Sequence, residues 1–211
     1  EGFLHPVKIS ARNRQQLFVL DDILRRIVVL NTNFKILRWI DFLENDQNMD
    51  FLTGGDLIYP INFDASVAGE LFVLNQENLR VYKTNSFGEL ETVFAGLDYG
   101  NGSVYHPFEV DLSDDNFVYL SDTLDQILKV YDNFGTYRYT LHPGAPFRWT
   151  HFVSSGRFLF FFSENGIFRF NTDSKKGFSF VIPVDLPITD LHFSGDVLYI
   201  LSRNAVHLYR R

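Results

Sequence analysis

The sequence predicts an all-β chain folded as a β-propeller, with five blades of about four antiparallel strands and the last blade incomplete. Three observations lead there. A proline followed by an alternating apolar stretch recurs at Pro6, Pro60, Pro107, Pro146 and Pro187, spaced 54, 47, 39 and 41 residues apart. A four-stranded propeller blade repeats at about 40–45 residues, so the spacing fits one blade per proline. No stretch holds a 3.6-residue apolar period beyond about two turns, which leaves short strands as the repeating element.

Each repeat reads in the same order. The proline opens a first strand, where its missing N–H breaks no ladder bond. Second strands follow at Leu17–Leu20, Leu71–Leu74, Phe117–Leu120, Phe158–Phe162 and Val197–Leu201. Polar turns end them, at Asp21-Asp22, Asn75-Gln76, Ser121-Asp122, Ser163-Glu164-Asn165 and Ser202-Arg203-Asn204. Third strands are expected at Ile27–Leu30, Leu79–Tyr82, Ile127–Tyr131, Ile167–Phe170 and Val206–Tyr209. Turns rich in Asn, Asp and Gly lead to fourth strands at Lys35–Ile40, Leu90–Phe94, Thr136–Leu141 and Phe178–Ile182. The fifth unit has no fourth strand after Tyr209, and a six-bladed ring with a blade missing is the alternative. The chain is read as one domain with approximate blades 3–40, 57–94, 104–141, 145–182 and 186–211.

Composition narrows the function classes. At 45% hydrophobic and 17% aromatic residues the chain can fill a core between packed sheets. The net charge of −7 opposes broad contact with a phosphate backbone, so no nucleic-acid partner is expected. With no cysteine there are no disulfides and no thiolate metal sites. No apolar run reaches the 18 residues of a spanning helix. The start at Glu1 rather than Met is read as a processed or trimmed terminus, giving an expectation of a secreted or periplasmic protein, with the cytoplasm left open.

The run Phe117-Val118-Tyr119-Leu120-Ser121-Asp122-Thr123-Leu124-Asp125-Gln126-Ile127-Leu128-Lys129-Val130-Tyr131-Asp132, preceded by His106-Pro107, resembles the core of an NHL repeat. The first unit matches in outline through His5-Pro6, Asp21-Asp22 and Asn31. Leu124 stands where that family often has Gly, and the fifth unit lacks the Asp at the turn. The resemblance implies a propeller and no particular function, since propellers of this kind serve as scaffolds, RNA binders, lyases and lactonases.

Two sets of polar residues are candidate sites. The turns between second and third strands place Asp22, Asn75, Asp122, Asp125, Glu164 and Asn165 around one mouth of the channel, where they can bind a ligand or simply cap tight turns. Two residues after each proline stand Lys8, Asn62, Glu109, Arg148 and Thr189, expected on the channel wall as a ring of mutually paired groups. His5 and His106 precede equivalent prolines, but a zinc site wants three protein ligands, so no metal and no cofactor are expected. The connection 41–56 is acidic and interleaves Phe42 and Phe51, and the Gly-rich stretch 95–105 carries Tyr99. Both are candidate contact surfaces. No nucleophile elbow, P-loop or dinucleotide fingerprint is present. The sequence therefore favours a non-enzymatic binding or scaffold propeller that engages another protein, or a small ligand, at the channel mouth and the 41–56 loop. The rival is a propeller enzyme of lyase, lactonase or glycan-processing type.

Overall fold

A computed structural model of the chain describes residues 2–11, 15–42, 58–164, 166–180, 187–194 and 197–210. It is a five-bladed β-propeller, with four four-stranded sheets and a three-stranded fifth. Blade 1 comprises β1 (Pro6–Ser10), β2 (Gln16–Asp21), β3 (Arg26–Asn31) and β4 (Ile36–Asp41). Blade 2 comprises β5 (Pro60–Ala65), β6 (Leu71–Asn75), β7 (Arg80–Thr84) and β8 (Leu90–Ala95). Blade 3 has β9 (Pro107–Leu112), β10 (Phe117–Asp122), β11 (Ile127–Asp132) and β12 (Tyr137–Leu141). Blade 4 has β13 (His151–Ser155), β14 (Phe158–Ser163), β15 (Gly166–Asn171) and β16 (Lys176–Phe180). Blade 5 has β17 (Ile188–Ser194), β18 (Val197–Ser202) and β19 (Val206–Arg210). Every neighbouring pair is antiparallel and consecutive in sequence.

Period-two alternation builds the core. In β2, Phe18 and Leu20 face forward to blade 2, joining Phe63, Val73 and Tyr82 in one buried cluster. Phe72 and Leu74 of blade 2 do the same with Val110, Leu120 and Tyr131 of blade 3. Tyr119 and Val130 of blade 3 meet Trp149, Phe152 and Phe161 of blade 4, and Phe160 and Phe162 of blade 4 meet Leu191 and Ile200 of blade 5. Blades 2, 3 and 4 are thus apolar on both faces, because each face is covered by a neighbouring repeat. Aromatic rings fill the widening space between blades, as with Trp149 and Phe161 at 4.9 Å between centroids.

Three of the five recurring prolines open strands, at Pro6, Pro60 and Pro107. Pro187 lies one residue before β17. Pro146 is a correction: β13 begins only at His151, and residues 142–150 form a connection that drives Trp149 into the core between blades 3 and 4. The Trp149 backbone N–H donates to Gln126 Oε1, and Gln126 Nε2 donates back to the Trp149 carbonyl, which fixes that plug.

Candidate functional site: the channel wall and its cavity

Register defines the channel ring. Lys8 pairs with Leu20, Asn62 with Leu74, His151 with Phe162 and Asp190 with Leu201. Glu109 takes the equivalent place beside Ser121, its N–H donating to Ser121 Oγ at 2.8 Å. Lys8, Asn62, Glu109, His151 and Asp190 therefore occupy one level of the five innermost strands. Two residues further along stand Ser10, Asp64, Asp111, Val153 and His192, which line a cavity of about 790 Å³ together with Lys8, Asp114 and Asp190.

These polar side chains first hold the ring together. An innermost strand has a free edge, and its N–H groups need acceptors once a neighbouring blade covers them. The preceding blade supplies them. Val110 N–H donates to Asn62 Oδ1 (3.1 Å), and Leu112 N–H to Asp64 Oδ2 (2.9 Å). One junction on, Phe152 N–H donates to Glu109 Oε2 (3.0 Å), Ser154 N–H to Asp111 Oδ2 (2.6 Å) and Gly156 N–H to Asp114 Oδ2 (3.1 Å). Between blades 1 and 2 the Ser10 hydroxyl donates to Asp64 Oδ1 at 2.6 Å.

Glu109 is the electrostatic centre. Lys8 Nζ reaches across from blade 1 to Glu109 Oε1 at 2.8 Å, and His151 Nδ1 lies 3.7 Å from Oε2. Burial alone would raise the Glu109 pKa, but the Lys8 charge and then His151 hold it down at about 2. Burial would likewise lower Lys8, and the Glu109 carboxylate, with Asp111 and Asp190 further off, pushes it above the usual lysine value instead. His151 itself stacks on Phe162 with ring centroids 5.3 Å apart.

Two members of the ring expected from sequence are displaced. Arg148 is exposed in the connection before β13 and donates to the Thr123 carbonyl at 3.2 Å, because the channel position of blade 4 falls three residues later, on His151. Thr189 is exposed and donates to the Leu201 carbonyl, with Asp190 taking the ring position after a bulge. Lys8, Asn62 and Glu109 stand on the ring.

The turn residues serve the connections between blades. Asp122 is buried, and its Oδ2 accepts the N–H groups of Tyr105 (2.9 Å) and His106 (3.2 Å) while Oδ1 accepts that of Asp125. Asp21 does the same for Leu4, His5 and Leu24, and these bonds keep its pKa low although burial opposes them. Asn75 accepts the Tyr59 N–H at 2.7 Å. Asn75 and Asp122 are therefore corrected from rim ligands to buried staples. Asp22 bonds His5 Nδ1 at 2.7 Å, Asp125 is exposed, and the Glu164 carbonyl accepts the Ile188 N–H.

Phe42 is also corrected: it is buried in the core between blades 1 and 2 and offers no exposed anchor. Tyr99 packs on Tyr131 and donates to the Gly135 carbonyl at 2.9 Å, so it folds back on blade 3. Asn165, Phe51 and most of the 41–56 connection lie outside the described residues. The cavity lies at the C-terminal ends of the innermost strands, by Ala11, Val67 and Asp114. The turns of Asp22 and Asp125 belong to the opposite end of those strands. Among the described residues no group of three His, Cys, Asp or Glu is arranged to hold a metal ion, and no helix is long and apolar enough to cross a membrane.

An all-β ring of radial blades around a polar channel defines the β-propeller class, and solved propellers resemble it. Virginiamycin B lyase from Staphylococcus aureus matches over 93% of this chain and 62% of its own, at 16% identity and a TM-score of 0.63. A catalytically inactive variant of that lyase with quinupristin matches over 97% and 69%, at 14% identity and a TM-score of 0.62. Hydrazine synthase from Kuenenia stuttgartiensis matches over 95% and 56%, at 12% identity and a TM-score of 0.63. The chain thus spans under two thirds of the first lyase chain. No protein-family model matches the sequence, and no curated protein does.

Proposed function

We propose that this chain is a non-enzymatic binding propeller whose channel cavity receives a cationic group, most simply a basic segment of a protein partner. The observation that carries this reading is the cavity lining: Asp64, Asp111, Asp114 and Asp190 face Lys8 and His192, an excess of carboxylates in a space large enough for a side chain or small ligand. Low-dielectric walls focus such a field, and the overall charge of −7 steers cations in the same direction. Asp64, Asp111 and Glu109 are spent on backbone bonds between blades, which argues for a rigid frame over a reacting centre. Asp114 and Asp190 are exposed, with Asp114 Oδ2 accepting the Gly156 N–H and Asp190 Oδ1 the Leu191 N–H. Titration with a labelled tetralysine peptide tests the proposal. Binding is expected at low salt and none for tetraglutamate; equal binding of the two peptides, or of neither, contradicts it.

A second reading, a lyase-like enzyme, draws on the pairing of His151 with buried Glu109 and on the lyases among the structural neighbours. A carboxylate beside an imidazole can orient it as a general base. Incubation with quinupristin followed by mass spectrometry separates the readings: turnover that disappears in His151→Ala would favour the enzyme.

A further inference from the structure

The interval between the fifth and first blades differs from the four other junctions. The residue after the channel position faces the preceding blade. It is Phe63, Val110, Phe152 and Leu191 in blades 2–5, each at most 3% exposed, but Ile9 in blade 1 is 63% exposed. The second-strand residue facing the following blade shows the complementary break. Leu20, Leu74 and Phe162 are at most 2% exposed, whereas Leu201 of blade 5 is 42% exposed.

The exposed positions form two faces. Leu201 pairs with Val206 and Tyr199 with Leu208 across β18 and β19, so Val206 and Leu208 lie on the open face of blade 5, and both are exposed. On blade 1, Ile9, Val19, Val28 and Trp39 are successive cross-strand partners, with Ile9 and Trp39 exposed at the two ends. Val19 and Val28 are buried in a cluster made only of blade 1 residues. Among the described residues, no core cluster joins blade 5 to blade 1. Blade 5 has three strands among the described residues, where each other sheet has four.

From this we infer that the interval between β19 and β1 is a docking surface, and that its occupant is a further blade of the same kind, a β-sheet apolar on both faces. The argument is continuity with the interfaces already formed: the Ile9 position is apolar and buried at all four other junctions, and the Leu201 position at three of them, with buried Ser121 at the fourth. Large apolar residues at matched positions of two facing sheets are seldom left in water without a partner. The matched propeller chains are longer than this one, which covers 62% and 69% of them.

Three proteins test it: residues 1–211, the same chain carrying Ile9→Lys and Leu201→Lys, and residues 1–211 extended after Arg211 by one or two copies of its own third blade, residues 96–141. The double variant should melt within about 2 °C of the parent, as surface changes do, and should bind less anilinonaphthalene sulfonate. An extended chain should melt at least about 5 °C higher, exclude the dye, and become sensitive to Ile9→Lys. Unfolding by the double variant in residues 1–211 would show a ring sealed on itself and overturn the inference. A dimer of residues 1–211 split by Ile9→Lys would make the occupant a second copy and overturn it too. So would extended chains that gain neither stability nor dye exclusion.

Discussion

Lys8 Nζ lies 2.8 Å from Glu109 Oε1, joining the first blade to the third across the channel. The Glu109 side chain is 7% exposed and that of Lys8 28% exposed, so the pair is largely desolvated. Removing one partner of such a pair leaves an uncompensated charge, whereas an exposed pair contributes under about 1 kcal/mol. Glu109→Ala is therefore expected to lower unfolding free energy by about 3–5 kcal/mol, since it also orphans the Phe152 N–H. Adding Lys8→Met should restore part of the loss. Urea unfolding of the two single variants and the double variant reads this coupling directly, and additive losses would show the pair to be solvated.

The same pair sets an acid limit. The folded-state pKa of Glu109, about 2, lies below its ordinary 4.5, so its contribution is present above pH 4.5 and lost as pH falls toward 2. Asp21 and Asp132, both lowered, lose stability in the same direction. The stability gap between the protein and Glu109→Gln should therefore close between pH 4.5 and 2. A gap that stays constant over that range would show that the charge of Glu109 is not what it contributes.

Asp122 is expected to matter through its acceptors. Asp122→Ala deprives the Tyr105 and His106 N–H groups of their partner and should cost about 2–3 kcal/mol, at about 1–3 kcal/mol per orphaned group with partial relief from water. Asp122→Asn keeps an acceptor, as Asn75 does in blade 2, and should cost less than about 1 kcal/mol. Thermal melts of the two variants separate a hydrogen-bond role from a charge role.

Glycine is required at Gly135. Its φ is +84°, and a Cβ there would stand 2.6 Å from Phe94 Cδ1, inside the core between blades 2 and 3. Gly135→Ala should cost about 2 kcal/mol or more, combining backbone strain with overpacking. Gly144, with φ +65° and open space around it, should lose about 1 kcal/mol on the same change, from backbone strain alone.

The propeller was legible because alternation, turn chemistry and a proline period all point to one fold. The site was legible only in part. Proline marks the start of a blade but does not fix its register: the same bulge follows Pro6, Pro60 and Pro107, but in blade 5 it follows Ile188, one residue after Pro187, and a nine-residue connection separates Leu141 from His151. Lys8, Asn62 and Glu109 stand 13 residues before the last residue of the second strand (Asp21, Asn75 and Asp122), but His151 and Asp190 stand 12 before Ser163 and Ser202, because the hairpin is one residue shorter there, so no single spacing marks the ring. The polar pairs Asn62/Asp64 and Glu109/Asp111, two residues apart between apolar neighbours, carried the signal for the cavity. The buried role of Asp122 was not visible, because its partners Tyr105 and His106 lie 17 and 16 residues away.

The affinity of labelled tetralysine, measured at two salt concentrations for the protein and three variants, tests the channel-binding proposal most directly. Asp114→Asn and Asp190→Asn remove carboxylates exposed at the cavity, while Asp22→Asn removes one at the opposite end of the blades. Each cavity variant should weaken binding about three- to tenfold at low salt, and 0.5 M salt should abolish most of the difference by screening. Asp22→Asn should leave affinity unchanged. Binding that is indifferent to Asp114 and Asp190 yet lost with Asp22 would place the site on the other face and contradict a cation-binding channel.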